Sequence, residues 1–281
     1  MLKLSRFAKG AALAIIIVGA ALAIGVMQLD LGGAHSTHST DATQPNVTAD
    51  KVFNSAYGVY DKKSGCWFGD DRESDRRYCM KLDRIDKVQT KTGFRFYVLA
   101  TGDAVDDAGN PNGDHLTFGA IGAFVVEDRA DAIVFIASDP LIPVGSMGSA
   151  PNKWALLQLG PDDYWGWKNT WGDCHQGYCG SRYAVLAPYG KRIRDLAGFI
   201  ASYDDAGTCS DEQCEAKTSS LESTLRINTS QTAVRVFPLE ITVSGKDGGK
   251  ELPLKTWSMP FDPKTWRYVE PADWPLKMRD F

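Results

Sequence analysis

The chain has 281 residues, 43% hydrophobic and 23% charged, with a formal net charge of −4 at neutral pH. A mildly acidic chain with no clustered Lys and Arg lacks the electrostatic footprint of a nucleic-acid binder and the polybasic segment of a peripheral membrane protein. The three basic and three acidic residues of positions 1–50 cancel, so the acidity belongs to residues 51–281.

Residues 1–9 contain Lys3, Arg6 and Lys9, and residues 10–29 carry no charge. About 20 apolar residues span a hydrocarbon core of ~30 Å, and flanking basic residues stay on the cytoplasmic side. The segment therefore predicts a transmembrane anchor with its N-terminus in the cytoplasm. A cleaved signal sequence is the alternative, with small residues at Ala21-Leu22-Ala23, although these lie inside the apolar run. Residues 30–50, rich in Gly, Ser, Thr and Asn, read as a flexible linker. Residues 51–281 are then a globular domain delivered across the inner membrane into the periplasm, or secreted if the segment is cleaved.

Cys66 and Cys79, Cys174 and Cys179, and Cys209 and Cys214 form three neighbouring pairs. In an exported domain thiols oxidise, so short-range disulfides are expected. The two C-x4-C elements leave a thiolate zinc site as the other reading.

Strand-like runs dominate the domain. Residues 94–100, 119–127, 132–137, 154–159, 164–170, 182–187, 224–227 and 233–237 are short and rich in β-branched and aromatic residues. Segments 239–244 and 252–257 pair as a hairpin across Gly245–Lys250, and Cys174 with Cys179 staples the tip of another. Between them, Ile193, Leu196, Ala197, Ile200 and Tyr203 recur at helical spacing and predict one main amphipathic helix over 191–203. Its charges oppose the helix dipole: Lys191, Arg192 and Arg194 come first and Asp204 and Asp205 last. That leaves the basic end either a solvated face or a patch for an anionic ligand. The proline-rich stretch after residue 259 reads as an extended arm. The expected fold class is α+β: a predominantly antiparallel sheet with one main helix, preceded by the N-terminal transmembrane or signal helix.

Catalytic patterns fail. The nearest approach to a nucleophile elbow, Val144-Gly145-Ser146-Met147-Gly148, has Val where the first Gly must stand. His115 and His175 are the histidines of the domain, and neither sits in a metal or protease motif. The loop from Asp103 to Asp114 is rich in oxygen ligands, but Ala108 occupies the leading position of a calcium register. A solvated loop is the simpler reading, calcium the alternative, and no other cofactor is expected.

The unusual feature is aromatic: Trp154, Tyr164, Trp165, Trp167, Trp171, Tyr178, Tyr183 and Tyr189 crowd one segment. Such rings either fill a core or form a binding surface for protein or glycan. The binding candidates are Trp165, Trp167, Trp171, His175, Tyr178 and Arg182. The sequence points to a membrane-tethered periplasmic protein, inhibitor- or immunity-like, that recognises another protein of the envelope. The alternative is a cell-wall or carbohydrate-active hydrolase using Asp162 and Asp163 beside Trp165 and Trp167.

Overall fold

The computed structural model describes residues 47–129, 132–277 and 279. The predicted membrane segment and most of the linker lie outside these residues. Val47–Asp50, read as the end of the linker, instead open a helix, α1 (Val47–Tyr57). Ala49, Val52 and Phe53 line its buried face at helical spacing.

Five strands follow as an antiparallel meander: β1 (Trp67–Asp71), β2 (Arg76–Thr90), β3 (Gly93–Val105), β4 (Gly119–Arg129) and β5 (Ala132–Val144). The charge-rich β2 was not legible as a strand. Lys81 and Lys87 are exposed along it with Leu82 and Gln89, while Tyr78 and Met80 point into the core beneath α1. A register shift between Leu82 and Arg84 then turns the second half of the strand.

The second sheet holds β6 (Ala155–Gly160), β7 (Tyr164–His175), β8 (Tyr178–Tyr189), β9 (Arg192–Asp195), β10 (Ile200–Asp204), β11 (Ser220–Ile227), β12 (Leu239–Asp247), β13 (Lys250–Glu251) and β14 (Lys255–Met259). Its main path runs β13-β12-β11-β10-β8-β7-β6, with β9 on β8 and β14 on β12. A one-turn helix, α2 (Glu212–Glu215), lies between β10 and β11, capped by the Asp211 carboxylate accepting from Cys214 N at 2.8 Å. A small hairpin, β15 (Phe261–Asp262) and β16 (Arg267–Tyr268), interrupts the C-terminal arm.

Three cores follow from these layers. The first joins α1 to one face of the meander. The second lies between the two sheets, where Tyr97, Leu99 and Ile121 meet Trp154, Trp165, Trp167 and Leu186. The third is the other face of the second sheet, covered by the arm through Trp266, Trp274 and Leu276. The three disulfides Cys66–Cys79, Cys174–Cys179 and Cys209–Cys214 close as the spacing suggested. All six thiols are bonded, so no thiolate is left for zinc.

The helix expected over 191–203 is not formed. The segment is β9, a tight turn and β10, and its backbone hydrogen bonds go to β8 rather than to residues four earlier. Leu196 N donates to Val185 O at 2.8 Å and Tyr183 N to Phe199 O at 2.9 Å. Gly198 adopts φ +79°, and the Asp195 carboxylate accepts from Ala197 N and Val185 N, each at 3.0 Å. A short acidic side chain that satisfies its own backbone competes with a helix. The apolar spacing is real, but sheet pairing buries it. Residues 233–237, expected as a strand, form an irregular turn. Adjacent Val236 and Phe237 are both buried, which an alternating strand does not allow.

Burial raises the Asp195 carboxyl above its ordinary value, against the two N–H donors and Arg267. The folded state therefore loses relative stability as pH rises from the unfolded value of about 4 through the raised folded one. Asp195→Asn keeps an oxygen for both donors and sheds the charge. Its stability relative to the native protein should grow between pH 3.5 and pH 7 in urea titrations; a flat or falling difference would contradict this assignment.

Candidate functional site

The residues proposed for binding separate into two groups. Directly opposed residues of an antiparallel pair share a face. Trp167 faces Leu186, Trp171 faces Arg182 and His175 faces Tyr178 along β7 and β8. The row starts in the core and runs out of it. Trp165 and Trp167 are core residues, at 7% and 0% exposed, packed between the sheets. They offer no surface to a ligand, which corrects their selection as binding residues. Trp171 is half-buried, and His175 and Tyr178 stand exposed near the hairpin tip. Arg182 is half-buried across from Trp171.

The tip is rigid. Gln176 and Gly177 form its two-residue turn, both with positive φ at 51° and 88°, matching the twist of the flanking strands. The Cys174–Cys179 disulfide closes it.

Two further loops meet the tip, and sequence alone could not bring them there. The β3–β4 loop delivers His115, Leu116 and Phe118. Phe118 meets Trp171 edge-on with centroids 6.0 Å apart, and the His115 and His175 rings lie 6.5 Å apart. The loop after β5 delivers Met147, and Ser146 Oγ donates to Gly172 O at 2.9 Å. Gly148 N donates to Thr117 O, and Gly148 O accepts from Ala104 N, each at 2.7 Å. Gly113 and Gly148 touch so closely that a Cβ on Gly113 would sit 2.4 Å from Met147 O. Only glycine permits that approach.

The result is an apolar and aromatic patch. Leu116 is 86% exposed and Phe118, against Trp171, 46%; Met147, 48% exposed, lines a recess with Gly172 and Cys174, and Tyr178 stands exposed at the hairpin tip. Met147 has φ +53°, a left-handed conformation uncommon for a bulky side chain. Beside the patch, a shallow 480 Å³ recess carries Asp173, Asp204 and Glu222. The patch is thus apolar at its centre and acidic on one flank.

The oxygen-rich loop spends two of its carboxylates, Asp106 and Asp114, on itself, and Asp107 faces Arg77 of β2 at 3.8 Å. Asp106 accepts from Ala108 N at 2.9 Å and Asn110 N at 2.8 Å. Asp114 accepts from Leu116 N at 3.0 Å and Thr117 Oγ1 at 2.6 Å. The Thr117 hydroxyl holds the Asp114 carboxyl below its usual value, and the Asn110 donors do the same for Asp106. Among the described residues no cluster of three or more His, Cys, Asp or Glu is placed to hold a metal ion. Asp162 and Asp163, considered as carboxylates for hydrolysis, sit at the β6–β7 turn. Lys91 binds both: Nζ reaches Asp162 at 3.1 Å and its N–H donates to Asp163 at 3.0 Å.

Leu116, Phe118 and Met147 were missed in the sequence because each lies in a loop without periodicity. An isolated apolar residue in a polar loop was the available signal. Comparison with known protein families, with characterised proteins and with solved structures finds no match to this chain.

Proposed function

We propose that the domain is a protein-recognition module, held at the inner membrane by its N-terminal segment and facing the periplasm. The observation that carries the recognition reading is the patch of Leu116, Phe118, Met147, Trp171 and Tyr178. Soluble domains rarely leave large apolar residues clustered and exposed unless something covers them. Three features favour recognition over accident. Trp171 and Tyr178 stand on a disulfide-closed hairpin, so little conformational entropy is lost at those two residues on binding. It concentrates Trp, Tyr and Met, the residue types enriched at interface centres. Met147 holds a backbone conformation of the kind that persists at functional sites. The acidic flank suits a partner with an apolar centre and a basic rim. The basic start ahead of the apolar run and the three disulfides support the placement.

The test is capture from cell envelopes with the full-length protein, followed by affinity measurement with the purified partner. Leu116→Asp and Trp171→Ala should each weaken binding at least tenfold, about 1.4 kcal/mol or more, with the melting temperature nearly unchanged. Binding that survives both substitutions, or an envelope that yields no partner, would remove the reading.

A further inference from the structure

The end of the second sheet away from the hairpin tip carries a surface of opposite character. β8 holds 12 residues, from Tyr178 at the tip to Tyr189. At a rise of about 3.3 Å per residue, it sets the β8–β9 turn roughly 40 Å from the tip. Lys191, Arg192 and Arg194 lie in or just after that turn. Two other segments meet it: Tyr189 and Gly190 line one recess with Arg235, from the turn before β12, and Pro263, from the C-terminal arm. The arm adds Lys264 and Arg267, both exposed. No single stretch of chain is polybasic; folding gathers these cations from three.

Their charge is largely uncompensated. Arg192 pairs with Asp139 at 2.8 Å, but among the described residues Lys191, Arg194, Arg235, Lys264 and Arg267 lie in no ion pair. The neighbouring carboxylates are already engaged. Asp262 accepts from Lys264 N and Thr265, and Asp195 from Ala197 N and Val185 N. Asp162 and Asp163 are held by Lys91. The tip end is the reverse, with Asp173, Asp204 and Glu222 around its recess. A domain that is acidic as a whole is therefore a dipole, with its positive end away from the recognition patch.

The chain also enters the domain away from the tip. β4 runs from the loop that carries Phe118 to Arg129, and Asp128, near its far end, accepts from Thr48 Oγ1 at 3.4 Å and pairs with Lys51 Nζ at 3.7 Å. The first turn of α1, where the linker ends, is thus held at the end of β4 remote from the patch. The second sheet has the same polarity. Lys91, in the β2–β3 turn, binds the β6–β7 turn, and Tyr164 beside that turn lines the basic recess.

We propose that this basic end docks on the anionic phospholipid surface of the membrane that holds the N-terminal segment. The inference rests on the membrane placement proposed above. Two observations select the occupant. The sign of the charge calls for an anionic surface, and the entry of the linker at the same end keeps a bilayer, rather than a diffusing partner, beside it. Lysine and arginine near anionic headgroups are each attracted to them, and tyrosine is a side chain that settles at a bilayer interface. Tyr189, 46% exposed, stands among the cations with the Arg194 guanidinium 5.3 Å from its ring centroid. Docked in this way, the acidic tip and its apolar patch point away from the bilayer, open to a partner.

The test uses full-length protein with a protease site introduced in the linker, reconstituted into vesicles of phosphatidylcholine with or without about one-third phosphatidylglycerol, and then cut. The released domain should partition at least tenfold more strongly onto the anionic vesicles at low salt, and leave them at high salt, where the field is screened. Lys191→Glu with Lys264→Glu should lower that partition at least tenfold. Lys62→Glu with Lys63→Glu makes the same change in charge beside the β3–β4 loop, where a Cβ on Gly109 would sit 3.1 Å from Ser64 Oγ, and should lower it less than twofold. All four positions are exposed, so both double variants should melt like the native protein. The docking is overturned if the cut domain leaves anionic and neutral vesicles alike, or if the two double variants partition alike. It is also overturned if soluble polyglutamate binds the domain more tightly than anionic vesicles do, which would give the surface to an acidic protein. A full-length chain that never enters vesicles would overturn the membrane placement, and the docking with it.

Discussion

Asp86→Ala should lower the free energy of unfolding by about 3–5 kcal/mol, read as a shift in urea midpoint at unchanged slope. Asp86 is 1% exposed, on β2 opposite Tyr97. Arg84 grips it with two bonds of 2.6 Å, from Nε to Oδ2 and from Nη2 to Oδ1. The remaining guanidinium nitrogen donates to the Trp154 carbonyl. The neighbouring Asp83 accepts from Lys153 N at 2.7 Å and Trp154 N at 3.2 Å. One short stretch of β2 therefore ties the meander to the chain entering the second sheet. Removing the Asp86 carboxylate leaves a largely buried cation unpaired, which costs far more than the pair contributes against an apolar substitute. Arg84→Met combined with Asp86→Leu should recover much of the loss, though the Trp154 carbonyl stays without its donor. A double variant as unstable as Asp86→Ala would mean that the stranded charge is not the cause.

Trp167→Ala and Trp171→Ala should behave oppositely although both belong to one aromatic row. Trp167 is fully buried and meets Tyr97 edge-on at 5.6 Å between the sheets. Truncation opens a cavity too large for neighbouring strands to close, with an expected loss of about 3–5 kcal/mol. Trp171 is half-buried and beside Phe118. Its truncation should cost about 1 kcal/mol or less of stability, within the range of partly exposed positions, and should act on partner binding instead. Paired denaturant and binding curves for the two variants check the division. If Trp171→Ala unfolds the domain as readily as Trp167→Ala, the outer end of the row belongs to the core.

What could be read along the chain was local. β-branched and aromatic content marked β3, β4, β5, β7 and β8, because such side chains pack well on a pleated, buried surface. The short cysteine spacings likewise matched the three disulfides, since residues so few positions apart reach each other in any compact arrangement. β2 escaped because its exposed residues include Lys81, Lys87 and Gln89 and its bulge breaks the alternation.

The 191–203 segment shows the limit of periodicity. Its apolar positions fit a helix, yet they are buried by β8, the arm and the space between the sheets, which are partners from elsewhere in the chain. Burial depends on all the elements that surround a residue, and local spacing reports only some of them.

The aromatic segment carries the same lesson for function. Sequence placed Trp165 and Trp167 on one face of a strand, because side chains alternate along it, and the register of β7 with β8 extends that face to Trp171, His175 and Tyr178. Only the tertiary structure decided where along that face the core ends. It did so by packing the meander over Trp165 and Trp167 and bringing Leu116, Phe118 and Met147 to the uncovered end.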